Sequence, residues 1–237
     1  MVVTKSFGSN VGSMERPAVL FNLVKMLTPR PVLNILEIGS FRGYSAVLWR
    51  AALEANHKGR GIIVCVDPWR PYLSATNKMG SEACRAMDSE IENGSALRSF
   101  LDNTRDDSSS FPIVPVVGAF EDVTDILLAV FFDLIYIDGD HKRPEVMKDI
   151  AIALRHIRSD GLLCGDDLEI QYDDLSPEGR EHARAYADTL DYTADPTTSG
   201  WFHPGVTMAM HECFGRVETA GNQWWIPAAK FAPSLGA

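Results

Sequence analysis

Two short stretches carry the residues best suited to chemistry: Asp133-Leu134-Ile135-Tyr136-Ile137-Asp138-Gly139-Asp140-His141 and Gly165-Asp166-Asp167. Each is an apolar run that ends in carboxylates, the pattern of a buried parallel strand emptying onto a ligand-binding edge. If the two edges lie side by side, Asp138, Asp166 and Asp167 converge, with His141 just beyond the first. Three carboxylates on one patch repel each other, and a hard divalent cation is the simplest way to offset that repulsion. Oxygen-only ligation by Asp138, Asp166 and Asp167 favours Mg²⁺, with Mn²⁺ or Ca²⁺ as substitutes. A histidine titrates near neutral pH, so His141 beside a cation points to deprotonation of a substrate hydroxyl, with His141 as general base. Plainer readings compete at each place: a solvated turn for Asp166-Asp167, and an exposed residue at a helix start for His141. Asp140 is better read as a cap on the following helix, and Asp173-Asp174 as an ordinary polar loop.

A second constellation is Glu37-Ile38-Gly39-Ser40-Phe41-Arg42-Gly43-Tyr44-Ser45. Gly39 permits a sharp turn and close ligand approach, and Gly43 does the same where a helix begins. A dinucleotide fingerprint starting at Gly39 would need glycine at 41 and 44, where Phe41 and Tyr44 stand. The loop is therefore a poor pyrophosphate cradle. It suits a neutral-to-cationic nucleoside ligand better, with Glu37 near the positive end. Asp67 ends the next apolar run and is placed to accept hydrogen bonds from ribose hydroxyls. A tight strand–helix turn with no ligand is the alternative.

These residues need elements to hold them. Strand and helix signals alternate through the first two-thirds of the chain, predicting an α/β, doubly wound, mostly parallel sheet. Helices are expected over 14–27, 44–54 and 144–158, with another following the Asn93-Gly94 break and ending near Asn103. Strands are expected over 32–38, 61–66, 113–117, 132–137 and 161–164. The tail offers a helix over 206–214 and a strand over 223–226. Two long connections, 69–94 and 168–203, both follow C-terminal strand ends and are expected to cover the substrate. Tyr72 and Met79 in the first are candidate substrate contacts. His203 either lines the acceptor pocket or packs its loop, and Trp224-Trp225 reads as core and interface surface.

At 237 residues, a single domain over 1–237 with two insertions is the natural expectation. A net charge of −10 argues against a general binder of nucleic acid or of a membrane surface. The four cysteines show no CxxC spacing, so buried thiols are expected rather than disulfides or zinc ligands. The opening ten residues do not read as a secretory signal, and no apolar run approaches the roughly 20 residues of a membrane span. A soluble, cytoplasmic protein is expected.

The chain resembles class I S-adenosylmethionine-dependent methyltransferases, in which a Glu-Ile-Gly-Ser-x-x-Gly-x-Ser motif and a strand-two acid hold the cofactor. It is most similar to the small-molecule O-methyltransferases related to macrocin and cephalosporin-biosynthesis enzymes. The signs are Ile137-Asp138-Gly139-Asp140-His141, Gly165-Asp166-Asp167 and His203-Pro204-Gly205-Val206. The resemblance spans about 33–214 and implies a Rossmann-like fold. It implies that Glu37, Gly39, Ser40, Gly43, Tyr44 and Ser45 surround the methionine part and the sulfonium. Asp67 would take the ribose, Trp69 would stack near the adenine, and Gly118, Ala119 and Phe120 would lie along its edge, with Asp138 close to cofactor and metal alike. Related metal-dependent enzymes place ligands where Asp138 and Asp166-Asp167 stand, and the catechol-type relatives carry a catalytic lysine at the offset of His141. Phe41-Arg42 departs from the family by being bulkier than a glycine-rich loop.

The implied activity is cation-assisted O-methylation of a hydroxylated small molecule, of sugar or natural-product type, in a chain that relatives suggest could self-associate. Three alternatives stay open. They are a metal-independent N- or O-methyltransferase whose acids only shape the pocket, a nucleotide-binding oxidoreductase or hydroxylase, and a non-catalytic binder of the cofactor.

Overall fold

Uninterrupted apolar runs mark strands covered on both faces, because a strand with one wet face alternates instead. The computed structural model describes residues 13–71, 82–106, 108–127 and 131–231. Tyr72 and Met79 lie outside them. The chain divides into two compact units, residues 1–119 and 120–237.

In the first unit, helix α1 (Arg16–Leu27) leads into strand β1 (Ile35–Ile38), helix α2 (Tyr44–Asn56) and strand β2 (Ile63–Asp67). Helices α3 (Glu82–Glu92) and α4 (Ser95–Thr104) follow, and strand β3 (Ile113–Val117) closes the unit. The strands are parallel and ordered β3-β2-β1. Every residue of β1 and β2 is buried, whereas β3 is half open. Pro115 sits in β3, the end strand of this order, because proline cannot donate to a ladder on both sides. Val19, Leu20, Leu23, Val24 and Leu27 form the buried stripe of α1, which packs on α2. Each such side chain contributes roughly 1.5–3 kcal/mol by leaving water.

The second unit begins with α5 (Phe120–Leu127), then β4 (Phe132–Ile137), α6 (Arg143–His156) and β5 (Ile157–Gly165). A 3-10 turn (Tyr172–Asp174), α7 (Pro177–Tyr186) and the short strands β6 (Thr193–Ala194) and β7 (Trp201–Phe202) come next. The unit ends with α8 (Pro204–Phe214), β8 (Glu218–Ala220), β9 (Gln223–Pro227) and a final 3-10 turn. Its strands are ordered β4-β5-β9-β8, with β4 and β5 parallel and the last two antiparallel. Seven strands of mostly parallel sheet are thus divided three and four between the units. This is the expected α/β class.

Several boundaries differ from the sequence reading. Strand β5 starts four residues earlier than expected, because Ile157 pairs with Phe132 and the ladder then shifts register before Leu134 meets Leu162. That pairing ends α6 at His156 rather than at 158. The 168–203 connection, expected as an irregular cover, contains α7 and the β6–β7 hairpin. Cys65 in β2 and Cys164 in β5 are free thiols with no exposure. Burial pushes both thiols well up, and in the case of Cys65 the charge of Glu37 pushes further.

Candidate active site

The first unit carries a glycine-loop cluster. Glu37 is fully buried at the end of β1, so a carboxylate is held in a place that water does not reach. The chain turns sharply there: Gly39 donates back to Val66 O at 2.9 Å, and Gly43 donates to Ser40 O at 2.6 Å. Gly43 has φ of +81°, and a Cβ there would meet Phe100 and Thr104 at 2.9 Å, so glycine is required on both counts. Ser40 and Ser45 are buried against this turn, and Tyr44 opens α2.

Asp67 ties the loop to β2. Its Oδ2 accepts from Phe41 N at 2.8 Å and its Oδ1 from Trp69 N at 2.6 Å. The indole Nε1 of Trp69 returns a hydrogen bond to Phe41 O at 2.8 Å. Burial raises the Asp67 pKa, and the backbone donors only partly counter it. Ser40 is a third backbone donor to this carboxylate, whose two oxygens together offer about four acceptor sites. Gly118 N donates to Asp67 O at 3.0 Å, which puts Gly118 and Ala119 beside the same strand end. Phe41 and Trp69 both hold positive φ, at +43° and +40°. Such strained backbone persists where the surroundings over-determine it, and ligand sites are where it gathers. Arg42, the bulky departure from the glycine-rich pattern, turns away from the loop onto Glu90, its Nε 2.6 Å from Oε2.

The second unit carries an acid–histidine cluster. Asp138, His141 and Asp167 each place a ligand atom within 4.8 Å of the others. His141 is held on both ring nitrogens: Nε2 lies 3.0 Å from Asp167 Oδ2, and Nδ1 lies 2.8 Å from Asp191 Oδ1. Burial pulls the imidazole pKa down, but Asp167 and Asp191 together overcome it and hold the ring well above its ordinary value. Asp191 is correspondingly lowered despite its burial. Asp167 has φ of +64°, a third strained position at a strand end.

Asp166 takes a different direction from its neighbour. It is buried, its Oδ1 accepts from Gln223 Nε2 at 2.6 Å and from Asp167 N at 2.9 Å. The indole of buried Trp224 donates to Asp166 O at 3.2 Å. Asp166 thus lines the same small cleft as Asp138, His141 and Asp167, but among the described residues it joins none of the clusters able to hold an ion. Asp140 accepts from Lys142 N at 2.9 Å just ahead of α6 and pairs with the Lys142 ammonium at 3.0 Å; the N-cap of α6 is Lys142 with no side-chain cap, so Asp140 is not the cap expected. Phe120 is buried at the start of α5.

Three functional candidates escaped the sequence reading. Asp191 grips His141 from the 168–203 connection, Glu169 grips His203 (Nδ1 to Oε1, 2.9 Å), and Gln223 holds Asp166. His203 rests edge-on against His141, with ring centroids 4.4 Å apart. Close packing fixes the loop that carries His141. A Cβ on Gly205 would fall 2.1 Å from His141 O and 2.5 Å from Arg143 N, so only glycine lets α8 approach. Arg143 N also donates to Ala187 O at 2.9 Å.

A mostly parallel α/β sheet, a glycine turn beside a buried acid and a strand-two carboxylate define a Rossmann-like methyltransferase domain. The chain belongs to the methyltransferase family whose domain model matches residues 36–168, and it is a methyltransferase. Among solved structures it is similar to cofactor-bound Rv0187 from MTB, with 16% identity and a TM-score of 0.50 over 94% of this chain and 83% of that one. It is also similar to CalS11, a calicheamicin methyltransferase, with 13% identity and a TM-score of 0.51 over 90% and 79% of the two chains. No curated protein sequence matches it.

Proposed function

We propose that the chain is an S-adenosylmethionine-dependent, divalent-cation-assisted O-methyltransferase acting on a hydroxylated small molecule of sugar or natural-product type. The observation that carries this reading is the cluster of Asp138, His141 and Asp167 at the ends of β4 and β5. The residues fit both groups the reading requires. Glu37, buried beside the Gly39–Gly43 turn, and the Asp67 carboxylate at the end of β2 suit a cationic nucleoside better than a phosphate. Asp138 and Asp167 are paired hard donors suited to Mg²⁺ or Mn²⁺.

S-adenosylmethionine would supply the methyl group, and a cation on Asp138 and Asp167 would supply Lewis acidity that lowers the pKa of an acceptor hydroxyl. The chain's own residues do the rest. Glu37 faces the ligand's positive end, Asp67 takes its ribose hydroxyls, and Trp69 with Gly118, Ala119 and Phe120 borders the adenine. His141 Nε2 receives the acceptor's proton, while Asp191 holds Nδ1 and so fixes which nitrogen works. Because Asp167 and Asp191 favour the protonated ring, His141 serves as a base only when the charge of Asp167 is drawn elsewhere.

A second reading, metal-independent transfer, is favoured by Asp166: its carboxylate is held by Gln223 rather than turned into the acid cluster. Chelation separates the two. With EDTA the cation-assisted enzyme loses turnover and regains it on adding Mg²⁺, whereas full activity in EDTA excludes an essential cation. Calorimetry with S-adenosylmethionine and NAD gives the donor: a binding isotherm for NAD alone would overturn the proposal.

CalS11, similar in fold, is a calicheamicin methyltransferase, which supports a natural-product acceptor for this chain.

A further inference from the structure

The glycine turn occupies one end of β1 and β2. At their opposite, N-terminal ends the connections 28–34 and 57–62 run side by side. Between them opens a cleft of about 630 Å³, within the size range of small-molecule sites. Arg30, His57 and Lys58 line it together with Pro29, Pro31 and Gly59, and no carboxylate does. The sequence here is equally one-sided: no aspartate or glutamate occurs over 28–36 or 55–66, and Arg60 follows Gly59. In a chain of net charge −10, positive charge gathered in a concave surface draws anions. Lys58 is exposed and has no ion pair among the described residues.

The walls of the cleft are stiff. Leu33 N donates to Arg60 O at 3.0 Å, and Arg60 N donates to Pro31 O at 3.3 Å. A Cβ on Gly59 would collide with Pro31 O, and one on Gly61 with Leu33 O, so the two connections meet backbone to backbone. His57 is wedged into this floor at 6% exposure, its ring centroid 5.6 Å from that of Phe111. Its Nε2 is sealed from water and has no hydrogen-bond partner. A polar atom buried without a partner is costly, and in a folded protein it calls for a reason. The tip of the ring abuts Gly59, with Nε2 2.6 Å from where a Cβ would stand. Glycine is the thinnest cover the chain can place between an imidazole and a ligand.

We infer that this cleft is a binding site for a small organic phosphate, separate from the transferase site and independent of that reading. Arg30 and Lys58 take the phosphate oxygens, Arg30 through its planar fork and Lys58 as a point charge. His57 supplies a third donor at the floor, and the phosphate gives it the acceptor it lacks. A phosphate monoester carries close to two negative charges at neutral pH, and so answers several bases better than a single carboxylate does. The cleft is larger than a bare phosphate ion, and an organic body fills the remainder against the exposed rings of Pro29 and Pro31.

Calorimetry on the full chain at low ionic strength tests the site without relying on turnover. The probe is α-D-glucose 1-phosphate, compared with inorganic phosphate, D-gluconate and uncharged methyl α-D-glucoside. The ester should bind more tightly than inorganic phosphate, and the glucoside should give no heat. Lys58→Ala should weaken the ester about tenfold, the usual loss of one charged hydrogen bond, and Lys58→Glu should abolish its binding. His57→Leu should weaken it as well. Arg155→Ala removes an exposed base of the second unit and should change nothing. In thermal melts the ester should raise the Tm of the unsubstituted chain and leave that of Lys58→Glu unmoved, because a ligand stabilises only the fold that binds it. Lys58 lies on the surface, so its variants report on the ligand rather than on folding. No heat with the ester, gluconate or inorganic phosphate binding as tightly, unchanged affinity in Lys58→Ala, or an equal loss in Arg155→Ala overturns the inference.

Discussion

In the reaction proposed, His141 is the pivotal residue, and both its ring nitrogens are engaged by carboxylates. Replacing it with alanine should cut turnover by about 10²–10⁴-fold, the usual contribution of a positioned acid or base, and leave donor affinity unchanged. Calorimetry beside a radiolabelled transfer assay reads both, and near-normal turnover would remove His141 from its role. The sequence showed Asp138, His141 and Asp167 because each sits within a few residues of an apolar run, and strand ends are legible in one dimension. It did not show Asp191, which is 50 residues from His141 and lies in a polar stretch with no period. A side chain recruited across that distance leaves no local trace. Asp166 teaches the complementary lesson: adjacent aspartates look equivalent as letters, yet backbone geometry at a strand end sends them to different partners.

At the scale of elements, the hairpin of β6 and β7 depends on one buried carboxylate. Asp195→Ala removes the acceptor for two backbone amides and two hydroxyls, and should cost about 1–3 kcal/mol of stability by leaving those donors unmet. Limited proteolysis should then cut the turn between Ala194 and Trp201 faster than in the unaltered chain; equal protection would show that the strands hold themselves. The two-residue strands and α7 were hidden in the sequence by Pro177, Asp195-Pro196 and Ser199-Gly200, which read as breakers. In the structure Pro177 opens a helix instead, with Ser176 as its cap. Helix α5 was missed for another reason. Its apolar Phe120, Val123 and Leu127 have helical spacing, but they run into the apolar residues of β4 and blur the boundary. The long parallel strands were legible because burial on both faces leaves an unbroken apolar run.

Over the whole molecule, stability should depend on pH through Asp149 of α6. Burial, reinforced by Glu145, pushes its carboxyl up from 3.8 to about 7. The folded chain therefore keeps this proton up to about pH 7, whereas the unfolded chain releases it near 3.8. Between those values the unfolded state binds fewer protons, so this group's contribution makes stability fall as pH rises, and the penalty is complete above pH 7. Asp149→Asn should flatten that slope and raise the melting temperature by a few degrees at pH 8, about what 1 kcal/mol achieves in a chain of this size. An unchanged difference between pH 5 and pH 8 would show that Asp149 titrates normally. None of the described helices is long and apolar enough to cross a bilayer. The enclosed sulfhydryls at Cys65 and Cys164 have a practical consequence of their own, because one belongs to each compact unit. A maleimide dye can reach either only during a transient breathing event, so the two modification rates act as separate stopwatches on one polypeptide. Matching rates would mean that both halves come apart as a single cooperative body, and unequal ones would reveal which half yields first.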